Sequence, residues 1–160
     1  MRVRVRVTLV LAAYLLAAQA SSARAEENLI WTGKASEGQV SLSYAPLDPA
    51  KPPLFLLSCF DAMGIAVLDL RQEIANAKLG DPLTIALSAS DAKAEVKGEA
   101  ARDEAGTIFA EASDIAVKPV LEVLRQTGPV TATAGTASVS LSDTGRAQAV
   151  ERFTKDCPLE

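Results

Sequence analysis

Apolar and polar residues alternate with a period of two along most of this chain, and that period predicts a mostly β protein. Val40, Leu42 and Tyr44 alternate with Ser41 and Ser43, as in a half-buried strand. Leu47–Pro53 contains Pro49, Pro52 and Pro53 and reads as a loop. Leu54–Phe60 is a continuous apolar run of strand length, which predicts a central strand covered on both faces. Asp61 and Gly64 suit a hairpin connection to a partner strand over Ile65–Leu70. Gly80-Asp81-Pro82 marks a turn, after which Leu83, Ile85 and Leu87 alternate with small residues. Beyond a turn at Ser88–Asp91, Lys93, Glu95, Lys97 and Glu99 alternate with Ala94, Val96 and Gly98, giving a strand with one charged, solvated face. Thr107–Ala112 is one more strand.

The period changes after Ser113. Ser113-Asp114 can cap or lead into a helix, Pro119 fits a first turn, Gly128 fits a C-terminal cap, and Val120, Leu121 and Leu124 share one helical face. Val130–Thr133 and Ala137–Leu141 read as two strands around Ala134-Gly135. Asp143 is a candidate cap for a last helix with Ala147, Val150 and Phe153 facing inward, stopped by Pro158. The expected fold is an antiparallel β-sandwich or open barrel of seven to nine strands, with two short helices in the C-terminal part.

The first residues change the picture. Arg2, Arg4 and Arg6 precede an apolar stretch, Thr8–Ala20, and then Ala23-Arg24-Ala25. A basic n-region, a short apolar region and an A-x-A site are the signature of a cleaved export signal. The expected division is a signal peptide over residues 1–25 and a single exported β-rich domain over residues 26–160, located in the periplasm or secreted. No later segment is apolar and long enough to cross a membrane as a helix. Removing Arg2, Arg4, Arg6 and Arg24 takes the net charge from −4 to −8. Such a chain repels phosphate backbones, which argues against nucleic acid as a partner.

Export bears on Cys59 and Cys157, the only two cysteines. In an oxidising compartment an even cysteine count predicts a disulfide, here pinning the C-terminal segment to the Leu54–Phe60 strand. The alternatives are free thiols or a metal pair. The chain has no histidine and no C-x-x-C, which argues against a metal site or a redox pair and points to no cofactor.

The lack of histidine also removes Ser-His and Cys-His nucleophile pairs, and no G-x-S-x-G, P-loop or G-x-G-x-x-G occurs. Paired carboxylates remain an option for glycosidic chemistry. Asp61, Asp69, Asp81, Asp103 and Glu104 are the candidates nearest strand ends, and Asp69 is of most interest because it interrupts the apolar strand Ile65–Leu70, where burial would raise its pKa. The expectation is that it points to solvent on the face shared with Ile65 and Val67, so no residue is assigned a catalytic or metal-binding role. Trp31, the only tryptophan, reads as a core filler, with a partner anchor as the alternative. Asp48 and Lys51 in the proline-rich loop and Met63 in the Ala62–Gly64 turn complete the candidate contacts for a partner.

The C-terminal third combines Pro119-VLEVLRQT-Gly128, a strand, a glycine turn, Ala137-SVSLSDT-Gly145 and a final segment with Ala149 and Phe153. Over Val117–Phe153 this layout resembles exported proteins of the invasion-associated locus B type. The resemblance implies a periplasmic or surface β-sandwich without enzymatic activity, and it carries no catalytic residue. A second cysteine pair expected of that family has no counterpart here. The combined expectation is a non-enzymatic periplasmic protein that recognises a protein or envelope component. The alternatives are an inhibitor of a basic hydrolase such as lysozyme, or a hydrolase using paired carboxylates.

Overall fold

A computed structural model describes residues 28–159; the expected export signal lies outside them. The chain forms nine strands and two helices, and the strands make one continuous antiparallel open sheet in the order β1-β2-β3-β4-β7-β6-β5-β8-β9. β1 (Leu29–Ser36), β2 (Gln39–Pro46), β3 (Phe55–Phe60) and β4 (Ile65–Leu70) follow one another as hairpins. The chain then crosses to β5 (Pro82–Ala89) and returns through β6 (Ala92–Arg102) and β7 (Ile108–Ser113), so that β7 lies beside β4. This is a Greek-key step. Helix α1 (Val117–Leu124) carries the chain back to β8 (Val130–Ala134), which pairs with β5, and β9 (Ala137–Leu141) closes a hairpin on β8. Helix α2 (Arg146–Asp156) ends the fold.

The strand registers sort the side chains onto two faces. Tyr44, Phe55 and Leu70 lie opposite one another, as do Leu42, Leu57 and Leu68, and then Val40, Cys59 and Ala66. All of these are buried and belong to one core with Ile85, Leu87, Ala132 and Ala134. α2 packs on β1 and β2, and α1 packs on β5 and β6. Both helices therefore cover the inner face of a sheet that continues as a single layer. The sheet also curls enough for Trp31 on β1 to donate its indole N–H to the carbonyl of Ser142, just beyond β9, at 2.6 Å.

The strand at Leu29–Ser36 had no separate sequence signal. Gly33 interrupts the row of Leu29, Trp31 and Ala35, whose far end at Ala35 is exposed, and apolar Ile30 sits on the outer face. The gap has a packing reason: a Cβ at Gly33 would overlap the carbonyl oxygen of Ala149, because the backbone of α2 passes over that point.

Both helix ends differ from expectation. α1 begins after Ala116 with no side-chain cap, and its C-terminal cap is Arg125, three residues before Gly128. α2 starts from Gly145, whose left-handed φ of 78° needs no side chain. The Asp143 carboxylate instead accepts a hydrogen bond from the Gly128 N–H at 3.1 Å. The inward stripe of α2 is Arg146, Ala149, Val150 and Phe153, and Ala147 is exposed. An arginine was not expected among core positions. Arg146 is 1% exposed, and its guanidinium donates to the carbonyls of Leu124, Gln126, Gly128 and Ser142, tying the end of α1 to the start of α2.

Cys59 and Cys157 form the disulfide, with Cα atoms 5.9 Å apart. The bond fastens the end of α2 to β3, the third strand of the sheet. Among the described residues no helix is long and apolar enough to cross a membrane.

Candidate functional site

With the inner face filled, the outer face of the sheet carries whatever surface chemistry the strands offer. At its centre the registers align three carboxylates. Asp69 on β4 lies opposite Glu111 on β7, and Glu111 lies opposite Glu99 on β6. Directly opposed residues in an antiparallel pair have Cβ atoms about 4.5–5.5 Å apart and share a face. The row is thus a consequence of the Greek-key step, which placed β7 between β4 and β6.

Asp69 is not on a solvated face as expected; it is 5% exposed. Arg71, two residues on and on the same side, donates through Nε at 3.1 Å and Nη2 at 2.8 Å to Asp69 Oδ2. The same guanidinium lies 4.7 Å from the centroid of the Phe109 ring on β7. Arg71 and Phe109 together roof the carboxylate. Asp69 Oδ1 is buried and has no hydrogen-bond partner. Burial raises the pKa of Asp69, and the hydrogen bond and charge of Arg71 oppose that rise without cancelling it. Glu111 is also raised, first by burial and then by the charge of Asp69, with Glu99 adding in the same direction and Arg71 opposing. One arginine therefore serves two neighbouring acids that hold their protons to higher pH than ordinary carboxyls. No set of three such side chains among the described residues converges in a way that could hold a metal ion.

The sequence candidates are spread apart. Trp31 is 7% exposed, with its ring centroid 5.0 Å from that of Tyr44 and 5.5 Å from that of Phe55. It fills the core and is no surface anchor, because its position on β1 faces α2. Asp48 and Lys51 lie in the exposed β2–β3 loop, where Asp48 Oδ1 accepts the Ala50 N–H at 3.0 Å and the Asp48 carbonyl accepts the Lys51 N–H at 3.1 Å. Met63, 61% exposed, sits on a single 3-10 turn at the other end of β3. A strand rises about 3.3 Å per residue, so β3 holds these two groups at least about 17 Å apart.

Comparisons with family models, with curated proteins and with solved structures returned no match. The site therefore stands on its geometry. Glu111 and Glu99 were missing from the sequence-level candidates for the pair with Asp69, and no local signal could have supplied them. Glu99 and Glu111 face each other across the β6–β7 hairpin, and only the long-range pairing of β4 with β7 sets Asp69 beside them.

Proposed function

We propose that this is a non-enzymatic protein, exported to the periplasm or beyond, which binds a protein or envelope component through the open outer face of its sheet. The observation that carries this reading is the placement of the helices: α1 and α2 both occupy the inner face, and the other face is left as a broad, mostly polar surface. Export is supported by the signal-like N-terminus and by the long-range disulfide, a bond characteristic of oxidising compartments. The resemblance of Val117–Phe153 to locus B-type exported proteins agrees with this reading. The net charge of −8 expected after signal removal favours a basic partner or surface.

The arrangement of the acids argues against the hydrolase alternative. Glycosidic cleavage by two carboxylates needs them on opposite sides of a scissile bond. Asp69 is buried on its strand with one oxygen held by Arg71, so it offers no carboxyl to a bond lying between it and Glu111.

The test is capture from an envelope extract with the purified protein. Charge reversal at two exposed outer-face positions, Glu95→Lys with Glu99→Lys, should abolish capture of the specific partner. Gln148→Lys on the solvent side of α2 should leave it intact. A glycan- or peptide-hydrolysing activity that disappears in Glu111→Gln would overturn the reading. The inhibitor alternative has one favouring observation. The Leu47–Pro53 loop is pre-ordered by the two Asp48 hydrogen bonds while presenting Leu47 at 65% exposure. Dose-dependent inhibition of a lysozyme, lost in Leu47→Asp, would select that alternative.

A further inference from the structure

We infer that the Asp69–Glu111–Glu99 row is an acid-strengthened latch: at mildly acidic pH one proton is shared between Asp69 and Glu111, and it ties β4 to β7 more firmly than at neutral pH. The β4–β7 pair is where the β1–β4 half of the sheet joins the β5–β9 half, so a latch there acts on the coherence of the whole sheet.

The geometry supplies three reasons. First, the cations are too few. Asp69 faces Arg71 on its own strand, and across the pair it faces Glu111, flanked by Phe109 and Ser113. On the other side, its opposite number on β3 is Leu56, flanked on that face by Ser58, so β3 contributes no charge. One strand further, β6 contributes Glu99 and, two residues before it, the exposed Lys97, which lies opposite Thr84 on β5. The β5 residue opposite Glu99 is Pro82. Second, the two hydrogen bonds that Arg71 makes to Asp69, from Nε and Nη2, both end on Oδ2 and leave Oδ1 without a donor. Third, Asp69 Oδ1 is buried with nothing to accept from. An ionised carboxylate in that position carries a desolvated oxygen with no compensating donor, which is costly. A proton on Oδ1 turns it into a donor, and the adjacent carboxyl of Glu111 is the acceptor that the register offers. The same proton removes the repulsion between two like charges. The raised pKa values of Asp69 and Glu111 agree with this.

Where the folded state binds more protons than the unfolded chain, stability increases as pH falls. Here the acids hold protons more tightly when folded, so the gain appears as pH drops from neutral toward the ordinary carboxyl range. It is complete once the unfolded chain is protonated too. One proton taken up on folding changes the unfolding equilibrium constant by up to tenfold per pH unit within that window.

The experiment is denaturant unfolding of the purified, disulfide-intact protein at steps from pH 7.5 to pH 4.5, beside Asp69→Asn, Glu111→Gln and the double variant. General relief of acidic repulsion affects all four equally, so the readout is the difference between their profiles. The wild type should gain up to tenfold more in its folding constant per pH unit than either single variant. The double variant should be the flattest, but by less than the two single effects added together, because the shared proton is already lost in each single. A 13C titration of the Asp69 carboxyl reads the same event directly in the wild type, whatever the variants do to folding. A midpoint above the ordinary aspartate range, moving downward in Glu111→Gln, is the expected result. Parallel stability profiles in all four proteins, or an Asp69 midpoint at or below the ordinary value, would overturn the latch.

Discussion

Arg146 offers the sharpest test of how this fold is held together. It is an arginine on the inward stripe of α2, 1% exposed, with no carboxylate bonded to it; its donors go to four backbone carbonyls. Burial lowers its pKa, opposed by the charge of Asp143, but a guanidinium remains charged at any pH of interest. Replacement by Met keeps the apolar stem and removes the donors. The Ser142 carbonyl would retain the Trp31 indole N–H as a partner. The carbonyls of Leu124, Gln126 and Gly128 would each lose this charged donor. An unsatisfied buried acceptor costs about 1–3 kcal/mol. The contacts to Gln126 and Gly128 are only partly buried, so the low end applies and the expected loss is about 3 kcal/mol. Arg146→Lys restores the charge but not the fork of donors, and should recover only part of that loss. Denaturant unfolding followed by the fluorescence of Trp31, the single tryptophan, measures the difference directly. A loss for Arg146→Met below about 1 kcal/mol would refute the reasoning, and would mean that the carbonyls find water as readily as they found the guanidinium.

Two further outcomes follow from packing and covalent structure. The disulfide spans 98 residues, so Cys157→Ser should lower stability by about 4–5 kcal/mol in the chain-entropy picture, and thiol labelling of the unfolded, unreduced wild-type protein should find no free sulfhydryl. Gly33→Val and Gly98→Ala should each cost about 1–3 kcal/mol by overpacking, since a Cβ at these sites would overlap the carbonyl oxygens of Ala149 and Glu111 respectively; Ala35→Val, at an exposed position of the same β1 strand, should be nearly neutral in the same unfolding assay.

The alternation of side chains was enough to place most of the strands, because a strand with one face toward a core must repeat every two residues whatever its neighbours are. Val40, Leu42 and Tyr44 are buried as that pattern requires, and the charged face of β6 is exposed. Glycine and proline marked the turns, and the two cysteines admitted one intramolecular pairing. All of this is local chemistry, or counting, and needs no knowledge of which strand lies beside which.

The tertiary structure decided the rest. β1 was hidden because its pattern is broken at Gly33, and that break is explained only by the passage of α2 overhead. The stripe of α2 shifted from Ala147 to Arg146 because carbonyls exposed at the end of α1 satisfy a guanidinium that would otherwise be excluded from a core. Asp69 was recognised as unusual from its apolar neighbours, yet the sequence could not supply the Arg71–Phe109 roof that buries it. Nor could it supply Glu111 and Glu99. Glu99 and Glu111 meet across a local hairpin, but Asp69 and Glu111, some 40 positions apart, become cross-strand neighbours only because the Greek-key step sets β7 beside β4. Pairing between distant strands depends on the free energy of the whole sheet, and no window of the sequence contains it.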